Sequence, residues 1–138
     1  MDNSHINNIT KTAAADMPKG TVVKLDSSDA SKVAACAAAD SDALGVVLDD
    51  VKSGESVAVA LLGVANHTIE VVASGAIAAG AKVCLAASGK VAAYPAQTSS
   101  AQNVVCVGIA LTPAYADGNI VELAHRAPAP DTVAASGA

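Results

Sequence analysis

The chain is written in short apolar runs cut by polar turns. In ALGVVLDDVKSGESVAVALLG, Ala43–Gly63, a strand-sized apolar run is followed by a polar turn and then by a run in which Val57, Val59 and Leu61 alternate with Ala58, Ala60 and Leu62. Similar runs stand at Thr21–Leu25, Leu44–Leu48, Ser56–Leu62, Val64–Val72, Lys82–Leu85, Val104–Leu111 and Asn119–Leu123. Val-rich runs at close spacing, separated by Gly, Ser, Asp and Asn, predict a mostly β fold, a compact sandwich or barrel. SGE at Ser53–Glu55, SGK at Ser88–Lys90 and DGN at Asp117–Asn119 supply residues that tolerate positive φ in tight turns.

The pattern recurs along the chain. KGTVVKLDSSDASKVAAC, Lys19–Cys36, aligns with AGAKVCLAASGKVAAY, Ala79–Tyr94: Gly20 falls on Gly80, Val23 on Val83, Leu25 on Leu85, and Lys32–Ala35 on Lys90–Ala93. Gly45–Leu48 then falls on Gly108–Leu111, and Gly54 on Gly118. This predicts one domain built from two related repeats, residues 19–63 and 79–126, each too small to bury its apolar face alone. Alanine propensity alone would make a helix of Ala30–Ala43, but its partner GKVAAYPAQ contains Pro95 and lacks helical length. Lys32–Cys36 is therefore read as a strand, with Ala37–Asp42 left open.

Two segments fall outside the repeats. Residues 1–16 are polar, with Ile6 and Ile9 the large apolar residues after Met1, and read as an extended N-terminal arm ending near Pro18. Residues 127–138, APAPDTVAASGA, have the Pro, Ala, Gly and Ser composition of a flexible tail. The body between them is 17–126.

Composition narrows the function. Hydrophobic residues make up 52% of the 138, yet Phe and Trp are absent and Tyr94 and Tyr115 are the aromatics. Much of that total is alanine, so Val, Leu and Ile must supply the core, at about 1.5–3 kcal/mol per buried side chain. Such a thin core suits a protein that gains stability from neighbours. A net charge of −5 argues against a nucleic-acid partner. Val57–Ala65 falls far short of the roughly 20 apolar residues of a spanning helix, and the N-terminus lacks a basic start with an apolar core, so neither membrane nor secretion is expected.

Candidate chemistry is sparse. Cys36, Cys84 and Cys106 sit in apolar runs without Cys/His ligand spacing and read as core residues, the other readings being a reactive thiol or a metal ligand. His5, His67 and His125 carry no flanking catalytic signature, and Asp49-Asp50, Asp40 and Asp42 read as solvated turns. Neither a cofactor nor an enzymatic activity is expected. The glycine–valine rhythm of Gly80–Val91 is reminiscent of lipoyl-type carrier domains, but Lys52 and Lys90 lack the usual acidic or methionine neighbours; a carrier or small ligand-binding β domain is the alternative reading.

The ordered set KGTVVKL, SDALGVVLDDVKSGESVAVALLGVA, SGAIAAGAKVCLAASGKV and VGIALTPAYADGNIVEL resembles the bacteriophage capsid decoration, or capsid cement, proteins over Met17–Leu123. The resemblance implies a non-enzymatic protein made in the bacterial cytoplasm. It would add to the outside of an assembled head, bind the major capsid protein, associate as a trimer and brace the shell against DNA pressure. It also implies an N-terminal arm laid against the shell. There HINNIT sets Ile6 and Ile9 among asparagines, and such a segment can add as a strand to a partner's sheet edge. Asn3, His5, Ile6, Asn7, Asn8, Ile9 and Thr10 are the expected partner-binding residues.

Overall fold

A computed structural model describes residues 8–136. Ten strands make up the described fold: β1 (Asn8–Ala13), β2 (Val22–Leu25), β3 (Lys32–Ala35), β4 (Gly45–Val47), β5 (Ser56–Leu61), β6 (Ile69–Val72), β7 (Lys82–Leu85), β8 (Val91–Ala93), β9 (Gln102–Ala110) and β10 (Ile120–Val133). No α-helix occurs among the described residues. The expected β class holds, with a barrel as its first half.

The first five strands close into a barrel in the order β1-β3-β2-β4-β5, and the second five form a sheet in the order β6-β10-β9-β7-β8. The second unit uses the same pairings as the first. Val23↔Ala35 and Leu25↔Val33 join β2 to β3, as Val83↔Ala93 and Leu85↔Val91 join β7 to β8. Val23↔Gly45 matches Val83↔Gly108, and Val47↔Val59 matches Ala110↔Leu123. Ile9↔Val59 matches Ile69↔Leu123, which puts β1 in the place that β6 holds. The parallel contact Ala13↔Val33, part of the β1–β3 pairing, survives in the second unit as the single bridge Ala73↔Val91.

Two boundaries differ from the sequence reading. Residues 8–13 of the expected arm are a barrel strand, because extended polar backbone can complete a ladder with β5 even where only Ile9 and Ala13 reach the core. Part of the expected tail, 127–133, continues β10 alongside β9. There β10 has no second strand neighbour among the described residues, since its pairing with β6 ends at Leu123↔Ile69, and Pro128 and Pro130 occupy this free-edged stretch. Proline is tolerated in a sheet at such edges, where its missing N–H faces away from the ladder.

Two apolar clusters explain the near-continuous hydrophobicity of β2, β4 and β5. Val23, Val33, Val47, Val57 and Val59 fill the first barrel. Their neighbours Val22, Val46 and Ala60 point outward, yet are fully buried in the larger cluster with Ile69, Val71, Leu85, Val107 and Leu123 of the second unit. Both faces of these strands are covered, so period-two alternation gives way to unbroken apolar runs. The second unit therefore shares its core with the outer face of the first. Gly20 accepts a hydrogen bond from the N–H of Val72 at 3.2 Å, and Lys19 Nζ lies 3.0 Å from the Glu70 carboxylate across the same join.

Candidate functional site

The residues with chemical potential are largely occupied by the backbone. His125 Nδ1 accepts the N–H of Gly63 at 2.8 Å, so its proton sits on Nε2, which donates to the His67 carbonyl at 2.9 Å. His67 turns its own Nδ1 to the Thr68 carbonyl at 2.8 Å. Asp50 accepts the N–H of Lys19, Asp16 that of Ser53, and Glu55 that of Lys52, each at 2.8–2.9 Å, which fixes the turn between β4 and β5. Asp40 accepts from the N–H of Ala37 at 2.8 Å and pairs with Lys24 at 2.9 Å, closing the Ala37–Asp42 loop that sequence left open. The backbone bond, then Lys24, holds its carboxyl below the usual range. Among the described residues no group of three or more His, Cys, Asp or Glu side chains could hold a metal ion.

Cys36 lies in the larger core, where burial pushes its thiol up to about 12. Cys84 and Cys106 are buried too, but belong to neither core cluster. Lys90 is held by Asp117 at 2.8 Å, unlike the free hairpin-tip lysine of a carrier domain.

What remains is surface. Of the expected partner-binding residues, Asn3, His5, Ile6 and Asn7 lie outside the described residues. Asn8, Ile9 and Thr10 lead β1 and pair with Ala60, Val59 and Ala58. Ile9 packs against the first barrel's core, while Thr10 is exposed. The Asn8 Oδ1 is buried with no hydrogen-bond partner among the described residues.

A second surface was missed in the sequence. Ile109, Leu111, Tyr115 and Ile120 are all exposed on β9, β10 and the turn between them, Tyr115 at 81%. Ile109 occupies the register place that Val46 holds in the first unit, yet it is 45% exposed where Val46 is 0%. The first unit's outer face is covered by the second, whereas on the second unit's outer face Ile109 stays open. Val104–Leu111 and Asn119–Leu123 read in the sequence simply as apolar strands, and only the packing of the two units shows which of their side chains stay exposed.

The fold defines a small, nearly all-β domain of two packed five-stranded units. The comparisons make this specific. A family model described as phage cement protein matches residues 1–125, so the chain belongs to that family. The crystal structure of the N base of head fibre gp8.5 in bacteriophage phi29 has a similar fold, with a TM-score of 0.62 at 18% identity, covering 88% of this chain and 95% of that one. No curated protein matches the chain. Family membership assigns the protein a structural role in the phage capsid.

Proposed function

We propose that this protein is a non-enzymatic decoration protein that binds the outer surface of the assembled head, contacts the major capsid protein and braces the shell against internal DNA pressure. The family match over residues 1–125 carries this reading. It spans the N-terminal segment as well as both β units.

Attachment is assigned to Asn3, His5, Ile6, Asn7, Asn8, Ile9 and Thr10. Self-association as a trimer is part of the same proposal, and the exposed Ile109, Leu111 and Ile120 are surface that such contacts would bury. Synthesis in the host cytoplasm precedes addition to the head.

Electron microscopy of the protein mixed with expanded heads tests the reading. Added density on the outer surface, with heads made more resistant to heat or osmotic shock, is the expected result. Bare heads at saturating protein would overturn it. Sedimentation at high concentration, together with the symmetry of the bound density, reports on the trimer.

A further inference from the structure

Cys84 and Cys106 face each other directly across the antiparallel strands β7 and β9. Both are free thiols and both are buried. Opposed residues of a sheet project to one face. The row across it reads Ala92, Cys84, Cys106, Ala129, so each cysteine has alanine as its other lateral neighbour. Val83, Leu85, Val105 and Val107 belong to the core on the opposite face.

We propose that Cys84 and Cys106 are an internal cross-linking site, closing to a disulfide in the presence of a peroxide-class oxidant. Opposed residues of an antiparallel pair have Cα atoms about 4.5–5.5 Å apart, inside the roughly 4.4–6.8 Å that a disulfide spans. Their Cβ atoms, about 4.5–5.5 Å apart in a ladder, must close to about 3.8 Å. The ladder is already irregular at this point: Val83 faces Gly108 and Cys84 faces Cys106, leaving Val107 as an extra residue. A bulge is a place where the strand bends and pairing is interrupted.

The reaction balances without any other group. One thiolate attacks a peroxide oxygen, the O–O bond breaks, a first water leaves and a sulfenic acid forms. The second sulfur attacks that sulfur, the S–S bond forms as the S–O bond breaks, and a second water leaves. Two thiols give up two protons and two electrons, and the peroxide becomes two waters.

The site is slow by construction. Burial, reinforced by the neighbouring Cys106, raises the Cys84 thiol and lowers its thiolate fraction. Tyr94, which follows β8, donates its hydroxyl to Asp131 of β10 at 2.7 Å, and β7 and β9 lie between those strands. Its side chain therefore crosses the cysteine row and covers it. In a glutathione-buffered cytoplasm the pair stays reduced, and it closes after prolonged exposure to an aerobic medium. This inference stands independently of the capsid reading.

The full chain treated with hydrogen peroxide at mildly alkaline pH is the test. The intact mass should fall by two hydrogen atoms, and non-reducing tryptic maps should join the peptide Val83–Lys90 to Val91–Arg126. Cys36 should still alkylate after denaturation, the melting temperature should rise by several degrees, and dithiothreitol should reverse the change. Cys84→Ser and Cys106→Ser should each abolish the mass loss, and Tyr94→Ala should accelerate it in the parent chain. Two thiols that remain alkylatable after excess peroxide would overturn the proposal. So would a link through Cys36 or between chains, or sulfinic acid at either site.

Discussion

The N–H of Gly89 donates to the carbonyl of Cys36 at 2.8 Å, joining the hairpin of the second unit to the strand end of the first. Gly89 has φ +71, and a Cβ there would stand 2.5 Å from Thr21 Cγ2 and 2.7 Å from Val22 O. Gly89→Ala should therefore cost about 2–4 kcal/mol, from left-handed strain and overpacking together. Thermal unfolding followed by circular dichroism should show the transition lowered by several degrees or more. An unchanged melting temperature would mean that the units can part here freely.

Truncations should separate the N-terminal segment into two parts. Removing residues 1–7 should leave the melting temperature nearly unchanged while weakening head binding. Removing residues 1–16 takes out β1 and its pairing with β5, and opens the first barrel. That variant should aggregate or lose its cooperative transition. Equal stability of the two deletions would show that β1 is dispensable.

Residues 1–63 expressed alone should not give a soluble, cooperatively melting monomer. Val22, Val46 and Ala60, fully buried in the whole chain against the second unit, would be left facing water. A monomeric fragment with a sharp transition in calorimetry would refute the shared-core account.

Acid should act through carboxyls whose folded pKa is depressed. For Asp40 the contribution is present above the ordinary value of 3.8 and is lost as pH falls through the lower folded value. Stability attributable to Asp40 should therefore be flat from neutral pH down to about pH 5 and decline below about pH 4. Asp40→Asn should reduce that decline by removing the charge that Lys24 and the Ala37 N–H favour. Identical acid slopes for the two proteins in urea titrations would assign the effect elsewhere.

Strands with a Val-rich pattern were legible in the sequence, and Lys82–Leu85 matches β7 residue for residue. β1 was not, although it holds the place of β6. Where β6 has Val71 and Val72, β1 has Lys11 and Thr12, and the apolar signal disappears while the backbone pairing remains. The predicted strand at Val64–Val72 begins later, at Ile69, because the N–H of Ala65 turns back to the Leu61 carbonyl. The exposed Ile109 surface was illegible for a different reason. Periodicity reports which face of a strand a residue takes, and not whether another unit lies against that face.

The two prolines of β10 bear on life at close quarters. In the proposed decoration role, copies of this small β protein would stand side by side on a shell, where an open edge with a full set of donors invites its neighbour to zip on. With Pro128 and Pro130 in its free-edged stretch, β10 lacks two of those donors. Copies held side by side can then touch through side chains without their backbones fusing into a continuous sheet, so crowding need not become aggregation.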